Sequence, residues 1–155
     1  MYNLEFELEK KDFLNLGRDL LTIKKYNKPY LINGGIALIL IYTISIIIFK
    51  NWMSIVYATL ISFLVLYGIQ NNGQTMYKAA KDAGLNRKFV FGDSSFSIET
   101  GGSAANYSYT DIKELYNTSN NVIFVCKHIL LFVPKNRTVN INLYDFLRRK
   151  SNVNG

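Results

Sequence analysis

No side chain from residue 30 to residue 49 carries a charge, none from 51 to 77 does either, and Lys50 alone separates the two runs. A hydrocarbon core about 30 Å thick needs roughly 20 apolar residues of helix at about 1.5 Å rise each, and both runs reach that length. In the first, Leu38, Ile39, Leu40, Ile44, Ile47 and their aliphatic neighbours each favour insertion by roughly 0.3 to 0.6 kcal/mol at central depth. Together they outweigh Asn33 and the adjacent Gly34 and Gly35. The competing arrangement is a pair of buried helices in a water-soluble body. A chain of 155 residues has too little other structure to cover two helices that are apolar on every face. A cleavable signal peptide does not fit either, because the run starts late, is too long for an h-region and lacks a small-residue cleavage pattern. The expectation is therefore a transmembrane helical hairpin at 30–77, with spans at about 30–49 and 52–70.

Basic residues set the expected orientation. Six precede the first run (Lys10, Lys11, Arg18, Lys24, Lys25, Lys28), four follow the second (Lys78, Lys81, Arg87, Lys88), and Lys50 alone lies between. That asymmetry places both termini in the cytoplasm of a multi-pass cell-membrane protein. Net charge divides as +1 before residue 30, +1 at Lys50 and +5 from Lys78 onward. The basic tail either enforces topology or is drawn to anionic head groups, by up to about 1 kcal/mol per well-placed cation. Its cations are scattered rather than gathered on one helix face between stacking aromatics, which argues against nucleic acid as a partner.

Ahead of the hairpin, residues 1–29 divide into a strand and an amphipathic helix. Tyr2, Leu4, Phe6 and Leu8 alternate with Asn3, Glu5, Glu7 and Glu9, the period of a half-buried strand. Phe13, Leu16, Leu20 and Ile23 then recur at helical spacing, with Asp12 as a start signal and Pro29 as the stop. Such a helix lies on the inner leaflet or packs on the cytoplasmic domain; the pattern fits both. The second span is expected to continue as helix through Met76, Ala79 and Ala83 until Gly84 caps it. Within it Ser54, Ala58 and Ser62 repeat every four residues, a small-residue stripe that suits packing against the first helix or a contact with a second protein.

From residue 88 to 155 short strands follow at roughly ten-residue spacing, among them Phe89–Ile98 alternation, a hairpin at Gly101 and Gly102, and apolar runs at 122–125 and 129–133. A closing helix at about 142–150 carries Leu143, Phe146 and Leu147 on one side. The expected fold class is an α+β membrane protein, a transmembrane hairpin with a cytoplasmic antiparallel sheet capped by a C-terminal helix. One cysteine, Cys126, and one histidine, His128, supply neither an internal disulfide nor a metal cluster. Two apart on an apparent strand they would share a face, as a thiol and base would, but no orienting group accompanies them.

The segments Tyr107-Ser108-Tyr109-Thr110-Asp111-Ile112 and Phe132-Val133-Pro134-Lys135, followed by residues 143–147, carry a resemblance. In layout and in these motifs the chain resembles the YcxB-like bacterial membrane proteins, which often have Trp where Tyr109 stands here. The resemblance implies two membrane helices and a small pleckstrin-homology-like cytoplasmic domain, with no assigned reaction. Lys135 and Arg137 on an exposed loop, with Arg148, Arg149 and Lys150 at the chain's last basic run, are the candidate interaction residues. The expected function is a non-catalytic integral membrane protein whose domain binds a protein partner or the inner leaflet. The alternative is an accessory subunit of a larger transport or signalling assembly, held by the hairpin through Ser54, Ala58 and Ser62. No nucleotide loop, paired carboxylates or nucleophile motif supports an enzyme, and no cofactor is expected.

Overall fold

Leu4 and Phe6 of the first strand point inward while Glu5 and Glu7 point out, as the period of two requires. In the computed structural model, which describes residues 2–49, 53–70, 72–138, 142–151 and 153, this strand, β1 (Tyr2–Glu7), does not pair locally. It pairs antiparallel with β2 (Asn86–Phe91), placing Leu4 opposite Phe89 and Glu5 opposite Lys88. β3 (Ser95–Thr100) and β4 (Ser103–Ser108) extend the sheet in the order β1-β2-β3-β4. Gly101 and Gly102 make the tight link between β3 and β4 at φ values of 55° and 82°, a region that costs other residues strain.

The chain then crosses to a second antiparallel sheet, β5 (Ile112–Asn117), β6 (Asn121–Cys126) and β7 (Ile129–Pro134). The crossover is the motif segment around Tyr109. Asp111 accepts from the Ser108 amide at 3.1 Å and Ser108 Oγ accepts from the Thr110 amide at 3.3 Å, a reciprocal cap on one 3-10 turn. Tyr109 is buried, and its hydroxyl donates to the Gly92 carbonyl at 2.8 Å. Between the sheets, Phe96 meets Phe124 edge-on at 5.8 Å and stacks on Phe91 at 5.8 Å. The final helix closes the core by burying Leu143 and Leu147.

Four helices lie between β1 and β2: α1 (Lys10–Thr22), α2 (Lys24–Phe49), α3 (Met53–Gln70) and α4 (Asn72–Ala83). The final helix is α5 (Leu143–Ser151). Because β1 and β2 are direct neighbours, the helices form a long excursion from one hairpin of the sheet. The break between α1 and α2 falls at Ile23, ahead of Pro29, since the Ile23 side chain is buried with Leu16 and Ile123. α1 and α4 cross in backbone contact at Gly17 and Gly73. A Cβ on Gly73 would stand 2.2 Å from the Phe13 carbonyl oxygen, so no other residue fits there without moving a helix.

Two expectations from the sequence are corrected. The single capped sheet is two sheets, because the Tyr109 turn breaks the meander after β4. Among the described residues, no helix is long and apolar enough to cross a membrane. α3 has 18 residues, about 27 Å of helix against a hydrocarbon core of about 30 Å, and it ends in Gln70. In α2, Asn33, Gly34 and Gly35 leave residues 36–49 as the continuous apolar part, only about 21 Å long. The transmembrane hairpin with spans at 30–49 and 52–70 is therefore replaced by an antiparallel helical pair. With it fall the integral-membrane functions, both the anchored domain and the accessory subunit, and the multi-pass location with both termini cytoplasmic. The link around Lys50, Asn51 and Trp52 lies outside the described residues.

Candidate functional site

The pair α2–α3 concentrates the exposed apolar surface of the molecule. Of the fourteen large hydrophobic side chains exposed among the described residues, twelve belong to it; only Tyr2 and Ile129 lie elsewhere. Ile39 is 68% exposed and Phe63 71%. Scattered apolar side chains are ordinary on protein surfaces, but a contiguous set of this kind marks a surface that is covered in use. The arrangement follows from composition: both helices carry apolar residues on every face, so packing against one neighbour leaves the remaining faces open.

Four hydroxyls of the pair bond within it. Ser62 Oγ donates to the Ala58 carbonyl at 2.7 Å, Thr43 Oγ1 donates to the Ile39 carbonyl at 2.8 Å, and the Tyr42 and Thr59 hydroxyls meet at 3.2 Å. Hydroxyls bonded back onto their own helix present little demand for water. Ala58 is fully buried and Ser62 nearly so, on the face that α3 turns to α2, so these two members of the small-residue stripe are spent on the pair. The Ser54 side chain lies outside the described residues.

The foot of the pair is basic. Lys24, Lys25 and Lys28 open α2, and Lys78 and Lys81 stand on α4, all exposed. Lys25 pairs with Glu114 of β5, and Glu114 also accepts from Tyr116 at 2.9 Å and Tyr26 at 3.4 Å. The Lys25 hydrogen bond is the main cause that holds the Glu114 carboxyl below its usual range. Burial, with Glu114 beside it, pushes the Tyr116 phenol up to about 12. These contacts fasten the pair to the second sheet.

A second fastening was not visible in the sequence. Asp19 of α1 is buried, and its carboxylate accepts from Thr118 Oγ1 at 2.5 Å, Asn121 Nδ2 at 2.7 Å, Asn120 Nδ2 at 3.0 Å and the Asn120 amide at 3.2 Å. It binds the β5–β6 turn to the helix as a cap binds a helix end. Asp19 sits among helix-forming residues, and only the assembled fold brings residues 118–121 to it.

The five expected interaction cations sit on two elements. Lys135 donates to the Thr118 carbonyl, and Arg137 pairs with Glu9 at 2.9 Å, both from the 3-10 turn after β7. On α5, Arg149 donates to the Asp145 carbonyl at 3.3 Å, Lys150 donates to the Asp93 carbonyl at 2.9 Å, and Arg148 is exposed. Cys126 and His128 do not share a strand face. Cys126 ends β6, fully buried, while Lys127 at φ 55° and His128 form the exposed turn into β7. Burial pushes the Cys126 thiol up to about 11, the reverse of an activated nucleophile. No group of three or more potential metal ligands occurs among the described residues.

Comparison of the chain with family models, with curated proteins and with solved structures finds no match. The YcxB-like resemblance rests on its motif residues alone.

Proposed function

We propose that this chain is a non-catalytic attachment module: the apolar pair α2–α3 seats it on a lipid surface, and the lysines at the foot of the pair meet anionic head groups. The observation that carries the reading is the concentration on α2–α3 of twelve of the fourteen exposed large hydrophobic side chains among the described residues. Fully burying one such side chain contributes roughly 1.5 to 3 kcal/mol, so covering a dozen half-exposed ones is worth on the order of 10 kcal/mol. Lipid fits better than a single protein groove because the apolar residues face several directions and the hydroxyls of Tyr42, Thr43, Thr59 and Ser62 bond within the pair. The lysines at the foot add attraction to an anionic surface that weakens as salt rises.

Flotation of the full chain with vesicles tests this. The chain should rise with phosphatidylcholine vesicles, and more completely when phosphatidylglycerol is included at low salt. A chain that stays at the bottom of the gradient with both compositions would refute it.

A further inference from the structure

Between the two sheets lies a half-open groove of about 610 Å³. Its origin is in the register. The inner-facing row of the first sheet runs Leu4, Phe89, Ile98, Ala105, and the next row runs Phe6, Arg87, Thr100, Ser103. Both rows end on β4 in a small side chain, Ala105 in one and Ser103 in the other. The sheet's inner face is therefore unfilled along this edge, and Ala105, an inward position, stays exposed. Across the gap, Leu130 and Phe132 of β7 form the other wall, and Met76 and Ala80 of α4 close one end.

The polar element that matters is Arg87. It stands on the core-facing side of β2, in the same row of positions as Phe89 and Phe91. One guanidinium nitrogen, Nη1, donates to the carbonyls of Gly84 at 2.8 Å and Asn86 at 3.2 Å. Among the described residues no carboxylate pairs with it. Partial burial without a counter-charge depresses its pKa. A groove of this size, apolar along its length and cationic at one place, matches the general make-up of small-molecule sites of roughly 300 to 1,000 Å³.

We propose that this groove binds a long-chain carboxylate, its hydrocarbon chain lying between β4 and β7 and its head group held by Arg87. The site belongs to the two-sheet body and does not depend on how the α2–α3 pair is covered.

The test uses the full chain in dodecyl maltoside, with a diazirine-bearing palmitic acid and the matching diazirine-bearing alcohol as probes, and crosslinked peptides mapped by mass spectrometry. The acid should label peptides of β4 and β7 about tenfold more than the alcohol, the ratio that one charge-assisted hydrogen bond supports. Arg87→Gln should bring that ratio to near one, and Arg87→Lys should keep most of it. Ala105→Trp, at an exposed edge position, should abolish groove labelling by both probes with the circular dichroism spectrum unchanged. Equal labelling by acid and alcohol, a preference that survives Arg87→Gln, labelling that survives Ala105→Trp, or labelling confined to α2–α3 would each overturn the proposal.

Discussion

Replacing Asp19 by Ala should loosen the fold more than any other single change to a polar side chain described above. The carboxylate collects four donors, and they do not suffer equally when it is removed. Asn120 is exposed, so its amide groups turn to water at little cost. Thr118 Oγ1 lies 2.9 Å from the Asn121 carbonyl and keeps that acceptor. Asn121 is fully buried, and its Nδ2 loses its only bond among those described. One orphaned buried donor costs about 1 to 3 kcal/mol, and losing a hydrogen bond to a charged group adds to it, so Asp19→Ala should cost about 3 kcal/mol. Against a total stability of roughly 5 to 15 kcal/mol this is a large share. With a urea slope near 1.5 kcal/mol per molar, the unfolding midpoint should fall by about 2 M. Asp19→Asn keeps an acceptor where three of the donors converge and should cost only about 1 kcal/mol. Equilibrium urea unfolding followed by far-ultraviolet circular dichroism measures both. If Ala costs under about 0.5 kcal/mol, or if Asn costs as much as Ala, Asp19 does not fasten α1 to the β5–β6 turn.

Gly73→Ala should destabilise by about 2 kcal/mol despite the better helix propensity of alanine, because its Cβ would drive α4 off α1; unchanged thermal unfolding would contradict the backbone contact. Burial lifts the Tyr109 phenol from 10.0 to about 12, so the stability tied to its neutral form is complete below pH 10 and is lost as pH rises through about 12. Tyr109→Phe should remove the bond to Gly92, cost about 1 kcal/mol at neutral pH, and flatten part of that alkaline decline in a pH series of melts. With its thiol lifted from 9.0 to about 11 and fully buried, Cys126 should react with a disulfide reagent at pH 8 at least about a hundredfold more slowly in the native chain than in urea. Comparable rates would show that β6 opens freely.

Local pattern carried the elements whose neighbours are close in the chain. Alternation marked β1 and β3, Gly101 and Gly102 marked a tight link, and Leu143 and Leu147 at helical spacing marked the closing helix. Pairing of β1 with β2 joins residues some eighty positions apart, and nothing in either strand's own alternation names its partner. The Cys126–His128 pair was misplaced for a different reason. Lys127 adopts a positive φ that lysine rarely takes, so an apparent continuous strand is a hairpin turn. The length of the uncharged runs suggested membrane spans, but Asn33, Gly34, Gly35 and Gln70 trim the apolar part of each helix once its ends are known. The groove was invisible because it is defined by small residues, Ser103 and Ala105, whose inward direction emerges only when all four strands are in register.

The attachment reading is tested most directly by an environment-sensitive fluorophore on the pair and, separately, on the two-sheet body. Cys126 is buried, so a cysteine introduced at exposed Phe63 or exposed Glu99 takes the label alone. On adding phosphatidylglycerol-containing vesicles to the full chain, Phe63→Cys should shift strongly to the blue and Glu99→Cys should stay close to its value in buffer. No shift at position 63, or an equal shift at both, would contradict attachment through α2–α3.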